Sequence, residues 1–470
     1  MNNVETQCIV SLLKQKSMSN DITWRLAHEK PGRLLLHYAV PAVVGTMVNS
    51  LYNIVDRIYI GHGVGSLAIS GLTLTFPIMM FLQAFGMLVG SGSAARISIF
   101  LGEKEKDRAE NVLGNALILI FIISFFTITL SMVFLKDLLI WFGGSENTIP
   151  YATDYLYIII PTNILTSLSF GFNAIMRASG YPKKAMFTML IGAVLNIILD
   201  PIFIFVFDMG IRGAAIATVI SMTVSAAFVM HHFISKESLI RFRKKYFKLD
   251  WQVIGHIVSI GISPFSIQLG GSLVNVVMNN SLYTYGGDLA LGAIGIIVSF
   301  AMLLVMLVIG ISQGMQPIVG FNYGAGHHHR VMETLRLVII TSTGIMGLGW
   351  LCSLFIPEVI VKGFTSDPEL VAITTNGLRL DFALLIVVGS QIAINHFFQS
   401  IGVAWKTILL SLSRQMIFLI PALFILPPML GLNGVWLAAP LSDGLATITA
   451  WSFLWHYVLK MKKNLMLPAQ

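Results

Sequence analysis

Two aspartates stand where an acid is expensive. Asp200 lies in LNIILDPIFIF, inside an almost wholly apolar run from Ala185 to Phe207. Such a run is long enough to cross the ~30 Å hydrocarbon core of a bilayer as a helix. Asn196 precedes Asp200 by four residues, so amide and carboxylate share one helix face. Pro201 follows; it has no N–H and frees the carbonyl of Ile197 near that face. A second stripe, Asn49, Tyr52, Asn53 and Asp56, runs at three- and four-residue spacing through an earlier apolar segment. A carboxylate at mid-membrane costs about 2.5–3.5 kcal/mol on insertion scales, and such acids mark ion or proton pathways by default. Thr218, near the start of a later span, falls at a similar depth. Two carboxylates, an amide and a hydroxyl form a set of hard oxygen donors suited to Na⁺, and neighbouring carboxylates can instead share a proton. The bland alternative pairs Asp56 with Arg57. Adjacent helical residues diverge, however, and Arg57 can snorkel outward.

The elements that must position these groups follow from composition. Of 470 residues, 56% are hydrophobic and only 11% charged, against about 25% charge in a soluble domain. The expected fold is an all-α polytopic membrane protein. The formal net charge of +8 reads as basic loops facing anionic lipid and not as nucleic-acid binding. The polar, basic leader before Leu34 has no cleavage-type pattern, so no signal peptide is expected. Cys8 and Cys352 lie too far apart in kind and place to make a disulfide framework.

Twelve apolar spans are expected, over 34–60, 67–97, 112–136, 151–176, 185–207, 213–234, 253–283, 289–321, 331–357, 369–400, 404–427 and 432–460. Pro41, Pro77, Pro161, Pro264 and Pro421 sit inside them as candidate kinks. Lys and Arg crowd the leader, the loops after the even-numbered spans and the tail, above all ISKESLIRFRKKYFKLD. The basic loops face the cytoplasm by the positive-inside rule, which puts both termini there.

The two halves repeat. PAVVGTMVNSLYNIVD from Pro41 matches PFSIQLGGSLVNVVMN from Pro264, Gly180 matches Gly402, and GIRGAA from Gly210 matches GLNGVW from Gly431. Six spans per repeat is an even number, so both halves enter from the same side. The plan is two six-helix lobes related by a pseudo-twofold axis along the membrane normal, with a cavity between them, as in transporters. The expected division is a cytoplasmic leader (1–33), an N-terminal lobe (34–235), a basic cytoplasmic linker (236–252), a C-terminal lobe (253–460) and a cytoplasmic tail (461–470).

The second repeat lacks the acids of the first: Asn279 replaces Asp56, and IFLIPA stands opposite Asn196 and Asp200. Its stripe of Gln268, Ser272, Asn275 and Asn279 is polar but cannot titrate, which confines the coupling chemistry to the first lobe. Gln391, Asn395 and Gln399 form another stripe that either lines the cavity or cements helices. Arg414 is the one basic residue deep in a span, positioned to hold an anionic group or carbonyl ends. The roles of Asp381 and Arg414 stay open. His327, His328 and His329 splay around a loop and make no metal site. No Ser/His/Asp, Cys/His or zinc spacing supports an intramembrane enzyme.

LYNIVDRIYIG, FNAIMRASG, LNIILDPIFIF and GAAIATVIS together resemble the multidrug and toxic compound extrusion (MATE) family, in its DinF/MepA-like branch, over Arg33 to Lys460. The resemblance implies a twelve-helix, two-lobed antiporter that exports amphipathic, often cationic drugs against inward Na⁺ or H⁺. It implies no cofactor beyond the coupling ion and no nucleic-acid partner. Its cation-site positions fall on Asp56, Asn196, Asp200 and Thr218, with associated polar positions at Tyr155 and Asn173 and, from the stripe above, Asn53. Candidate cavity residues are Gln268, Asn275, Asn279, Gln391, Asn395 and Arg414. A monomer in the prokaryotic cytoplasmic (inner) membrane is expected. The alternative is a lipid-linked oligosaccharide flippase on a related two-lobed plan, which would need a basic cavity.

Overall fold

A computed structural model describes residues 21–466, apart from the side chains of Asn53, Ser66, Leu67, Ile69 and 462–466. Cys8, Lys14 and Lys16 therefore lie outside the described residues, as do 467–470 of the expected tail. Each apolar run is a helix, and the twelve expected spans all appear. The first lobe contains Pro31–Gly63, Ser66–Gly102, Lys106–Val133, a broken fourth span (Ile149–Ile159 and Asn163–Ala178), Pro182–Pro201 and Gly210–Ile234. The second contains the 74-residue helix Trp251–Gly324 as its first two spans, then His328–Phe355, a broken tenth span (Pro368–Asp381 and Leu385–Ser400), Ala404–Leu430 and Leu432–Met466. The long helix is two spans because Gly287 breaks it at φ 65°, ψ −161°, a conformation that a side chain would resist. Proline at the first turn starts several helices, where its missing N–H costs nothing. Asp250 caps Trp251–Gly324, and Asp367 caps the proline-started Pro368–Asp381, each by accepting backbone N–H bonds.

The interruptions recur in both lobes. The fourth span bends by 61° around Pro161 and the tenth by 52° after Asp381. The fifth span widens into a π-helix over Ile202–Val206, immediately after Pro201, and the eleventh does so over Ser413–Leu419. Pro201 explains the first, because it removes a ladder bond. Pro41, Pro77 and Pro264 instead lie within continuous helices.

Among the described residues, the buried apolar side chains form three cores. One occupies the end carrying the basic loops and draws on both lobes, from Leu34, Ile97 and Phe172 to Ile257, Phe321 and Phe397. At the other end each lobe has a core of its own, around Tyr155 and Ile160 in the first and around Phe382 and Trp436 in the second. The lobes are thus joined at the basic end and separate beyond it. Glycines make the junction possible. A Cβ on Gly92 would meet the carbonyl of Ile257, and one on Gly261 the carbonyl of Leu88. Gly102 and Gly324 likewise lie against Phe321 and Ile99 across the second and eighth spans. Small residues that allow backbones to touch are the usual means of tight packing where both surroundings are apolar.

Two further segments tie down the basic end. The linker lies along the start of the third span: Glu110, 1% exposed, accepts from the Arg243 side chain (3.1 Å) and the Arg241 backbone. Asn111 and Asn115 bond Asp250, and Asp107 accepts from Lys245 and Tyr246. A short helix over 21–28 packs Ile22 against Gly180 of the first lobe, while Asn322 and Arg330 of the second bond the carbonyl of Leu26.

Candidate functional site

The first-lobe acids meet in one buried pocket. Asp56 arrives on the first span, Asn196 and Asp200 on the fifth, Thr218 on the sixth and Tyr155 on the fourth. Asn196 and Asp200 share a face as their spacing requires, and the Asn196 amide donates to Asp200 Oδ1 at 3.0 Å and to Thr218 Oγ1 at 3.3 Å. The Tyr155 hydroxyl bonds the side chain of Thr218. The Asp56 and Asp200 carboxylates approach within hydrogen-bonding contact of each other. Asp200 is fully buried, Asn196 and Tyr155 nearly so, and Asp56 is 9% exposed. Arg57 does not neutralise Asp56 by contact; its guanidinium lies over the Phe76 ring.

The polar satisfaction of the pocket is incomplete. Asp56 Oδ1, Asn196 Oδ1 and Asp200 Oδ2 are buried and have no hydrogen-bond partner. Buried polar atoms are normally paired, so three orphaned oxygens in one pocket leave acceptor capacity unused. Two unit charges 4 Å apart repel by about 4 kcal/mol at an effective dielectric constant of 20. A cation or proton between the carboxylates removes that repulsion. Hard oxygens fit Na⁺ by donor type.

The remaining expected first-lobe positions lie elsewhere. Asn173 donates to the Ala185 carbonyl and accepts from Arg177 (3.2 Å), nearer the basic end. It lines an interior hollow with Asn49, Tyr52, Ala193 and Met222 and makes no bond to the acidic pair. The side chain of Asn53 lies outside the described residues.

The second lobe has a different polar layout. Gln268 is partly buried, while Asn275 and Asn279 are exposed on the seventh span. Gln391 is buried. Asn395 cements helices: its amide donates to Ser411 Oγ, which also bonds Ser263. Arg414, the basic residue expected deep in a second-lobe span, has an acidic partner there that the sequence reading did not name. Arg414 Nε donates to Asp443 Oδ1 at 2.6 Å, joining the eleventh and twelfth spans. Asp443 was legible as a lone acid in APLSDGLAT, but the register that brings it to Arg414 was not. Among the described residues no cluster of three or more His, Cys, Asp or Glu is arranged to hold a metal ion.

The MatE family model matches twice, over residues 41–202 and 265–425, once in each lobe. The chain is 28% identical over 403 residues to multidrug export protein MepA of Staphylococcus haemolyticus (strain JCSC1435), covering 86% of this chain and 88% of that one. It is 27% identical over 419 residues to MepA of Staphylococcus aureus (strain NCTC 8325 / PS 47), covering 89% and 92%. Among solved structures, an outward-facing multidrug resistance MATE family transporter of the MOP superfamily superposes with TM-score 0.86 at 24% identity, over 93% of this chain and 98% of that one. A MATE structure in the bent conformation gives TM-score 0.88 at 23% identity, over 94% and 98%. These structures establish the twelve-helix, two-lobed fold. The two family matches, one per lobe, together span well over half of the sequence, and the chain belongs to the MatE family of membrane transporters.

Proposed function

We propose that this chain is a cation-coupled multidrug efflux antiporter that exports amphipathic, often cationic organic compounds by alternating access. The observation that carries the reading is the set of orphaned oxygens on Asp56, Asn196 and Asp200. Asp56 and Asp200 bind the driving Na⁺ or H⁺, Asn196 orients Asp200, and Tyr155 holds Thr218 beside it. The export of drug-like compounds is carried over from the MepA relatives, which are named as multidrug export proteins. The boundaries expected from the sequence serve as functional units: leader 1–33, lobes 34–235 and 253–460, linker 236–252 and tail 461–470.

With the basic loops in the cytoplasm of a prokaryotic cell, both termini lie inside and the lobes are parted toward the exterior. Alternate access then requires the glycine-lined junction to open while the outer ends close. Loading or emptying the acidic pocket biases that exchange because Asp200 stands at the change from α- to π-helix. A ligand shifts such an equilibrium only by its differential affinity for the two forms. The protein works as a monomer in the inner membrane and needs no cofactor besides the coupling ion. A lipid-linked oligosaccharide flippase fits less well, because Arg414 is already paired with Asp443 and the buried pair in the first lobe, Asp56 and Asp200, is acidic.

Reconstituted protein should expel a fluorescent cationic dye from proteoliposomes when an inward Na⁺ or pH gradient is imposed. Dye movement equal with and without both gradients would refute coupling.

A further inference from the structure

The internal repeat puts two lysines in equivalent places at the basic end. Lys184 and Lys406 each follow the matched glycines, Gly180 and Gly402, by four residues. Each is also the third residue of its helix, Pro182–Pro201 or Ala404–Leu412. In the first lobe, Lys184 lies over the Tyr181 ring (5.5 Å) and pairs with Glu237 of the linker at 3.3 Å. Tyr181 holds that part of the linker in place through the Glu237 carbonyl and Leu239 N.

The second lobe keeps the lysine and loses the acid. The sixth span ends at Ile234 and gives way to the linker, whereas the twelfth continues as helix to Met466. By the offset that relates Gly180 to Gly402, Leu459 stands where the first lobe has Glu237. Lys406 is only 7% exposed, and its ammonium lies among the rings of Phe398 (4.7 Å), Tyr457 (5.5 Å), Trp405 (5.6 Å) and Phe453 (5.7 Å). Aromatic faces hold a cation without neutralising it, and a buried charge is costly without a counter-ion. Among the described residues Lys406 makes no ion pair and no side-chain hydrogen bond, and its nitrogen is not sealed from the surface.

The surroundings favour an anion with an apolar body. The contact with Phe398, in the last turn of the preceding helix, places the ammonium at the N-terminal end of Ala404–Leu412. The backbone N–H groups of Trp405 and Lys406 have no partner there among the described residues, and such a helix end attracts anions. Lys460, exposed on the twelfth span, stands one turn beyond Tyr457 and adds a second positive charge. Trp405 and Leu409, four apart on one helix face, are both exposed and run from the ammonium toward the middle of the span. An acyl chain would cover them, and tryptophan is the residue that favours the headgroup level.

We propose that the second lobe binds an anionic phospholipid at the basic end. The headgroup phosphate sits at Lys406, in the place that Glu237 fills in the first lobe, and an acyl chain lies along Trp405 and Leu409. The site does not depend on which compounds the chain exports.

The test is retention of tritiated dioleoylphosphatidylglycerol by the full-length protein in neutral detergent, in competition with unlabelled dioleoylphosphatidylglycerol, dioleoylphosphatidylcholine or inorganic phosphate. The readout is the ratio of phosphatidylglycerol to phosphatidylcholine affinity, which should exceed one for the wild type. Lys406→Gln should lower it about fivefold, the loss expected for one lysine beside an anionic headgroup, while Lys184→Gln, whose lysine already has Glu237, should lower it less than about twofold. Lys460→Glu alters an exposed position, so it should fold, and its carboxylate should lower the ratio at least as far as Lys406→Gln. A ratio unchanged in both Lys406→Gln and Lys460→Glu would overturn the site. Equal losses in Lys184→Gln and Lys406→Gln would also overturn it, by showing diffuse attraction to the whole basic end. Displacement of phosphatidylglycerol by inorganic phosphate at constant ionic strength, from wild type but not from Lys406→Gln, would assign the site to a soluble anion and overturn the lipid.

Discussion

The junction at the basic end should be breakable by a single methyl group. Gly261 of the seventh span lies against the backbone of Leu88 of the second, so the Cβ of a Gly261→Ala variant would overlap the Leu88 carbonyl. The obstacle is backbone on both sides, so no flexible side chain can move out of the way. Overpacking of this kind costs about 1–3 kcal/mol. The cost falls only on the form in which the lobes touch here. Carried entirely by that form, it multiplies the population of the alternative by about 5–150. Ser98 reports the change: it is fully buried, and Gly320 of the eighth span packs against it. In a background with Cys8 and Cys352 replaced by serine, a Ser98→Cys thiol should resist a water-soluble maleimide. Adding Gly261→Ala should speed labelling several-fold or more in protein that still elutes as one species. An unchanged labelling rate in such protein would refute the claim that these backbones seal the basic end.

Other perturbations test other parts of the account. Asp56→Asn makes the first lobe resemble the second at the matched Asn279 and should abolish cation-dependent stabilisation in thermal unfolding, whereas Asn279→Ala should preserve it. Glu110→Ala strips the buried partner of Arg243 and the Arg241 backbone; it should lower stability by about 1–3 kcal/mol and expose the linker to limited proteolysis. Tyr181, between spans, accepts from Leu239 N and donates to the Glu237 carbonyl, and burial pushes its hydroxyl up to about 12. Its folded state keeps the proton after the unfolded chain has lost it. Stability therefore falls as pH rises from about 10 to 12, and Tyr181→Phe should flatten that part of the profile relative to wild type.

Local patterns made much of this architecture legible in advance. Span positions followed from apolar length, and the pocket's fifth-span face from the four-residue spacing of Asn196 and Asp200. That Asp56 and Thr218 reach the same pocket followed from depth, because alternate spans run in opposite directions. The π-helix after Pro201 had a local cause in the missing N–H. The bend after Asp381 had no such signal, since Phe382, Ala383 and Leu384 contain neither glycine nor proline. Long-range register was equally hidden. Asp443 pairs with Arg414 across 29 residues, and Gly92 meets Ile257 across a lobe boundary. Nothing near either residue specifies the partner. Asn395 could have faced a cavity or a helix, and only the packing of the tenth and eleventh spans decided for Ser411.

The central claim is that Asp200, in contact with Asp56, couples a cation to export. Asp200→Asn keeps the shape and the Asn196 neighbour while removing one of two carboxylates. In proteoliposomes this variant should exchange labelled dye for unlabelled dye across the membrane at equilibrium, yet expel none against its gradient when inward Na⁺ or H⁺ gradients are imposed. Gradient-driven export at the wild-type rate by Asp200→Asn would contradict the account.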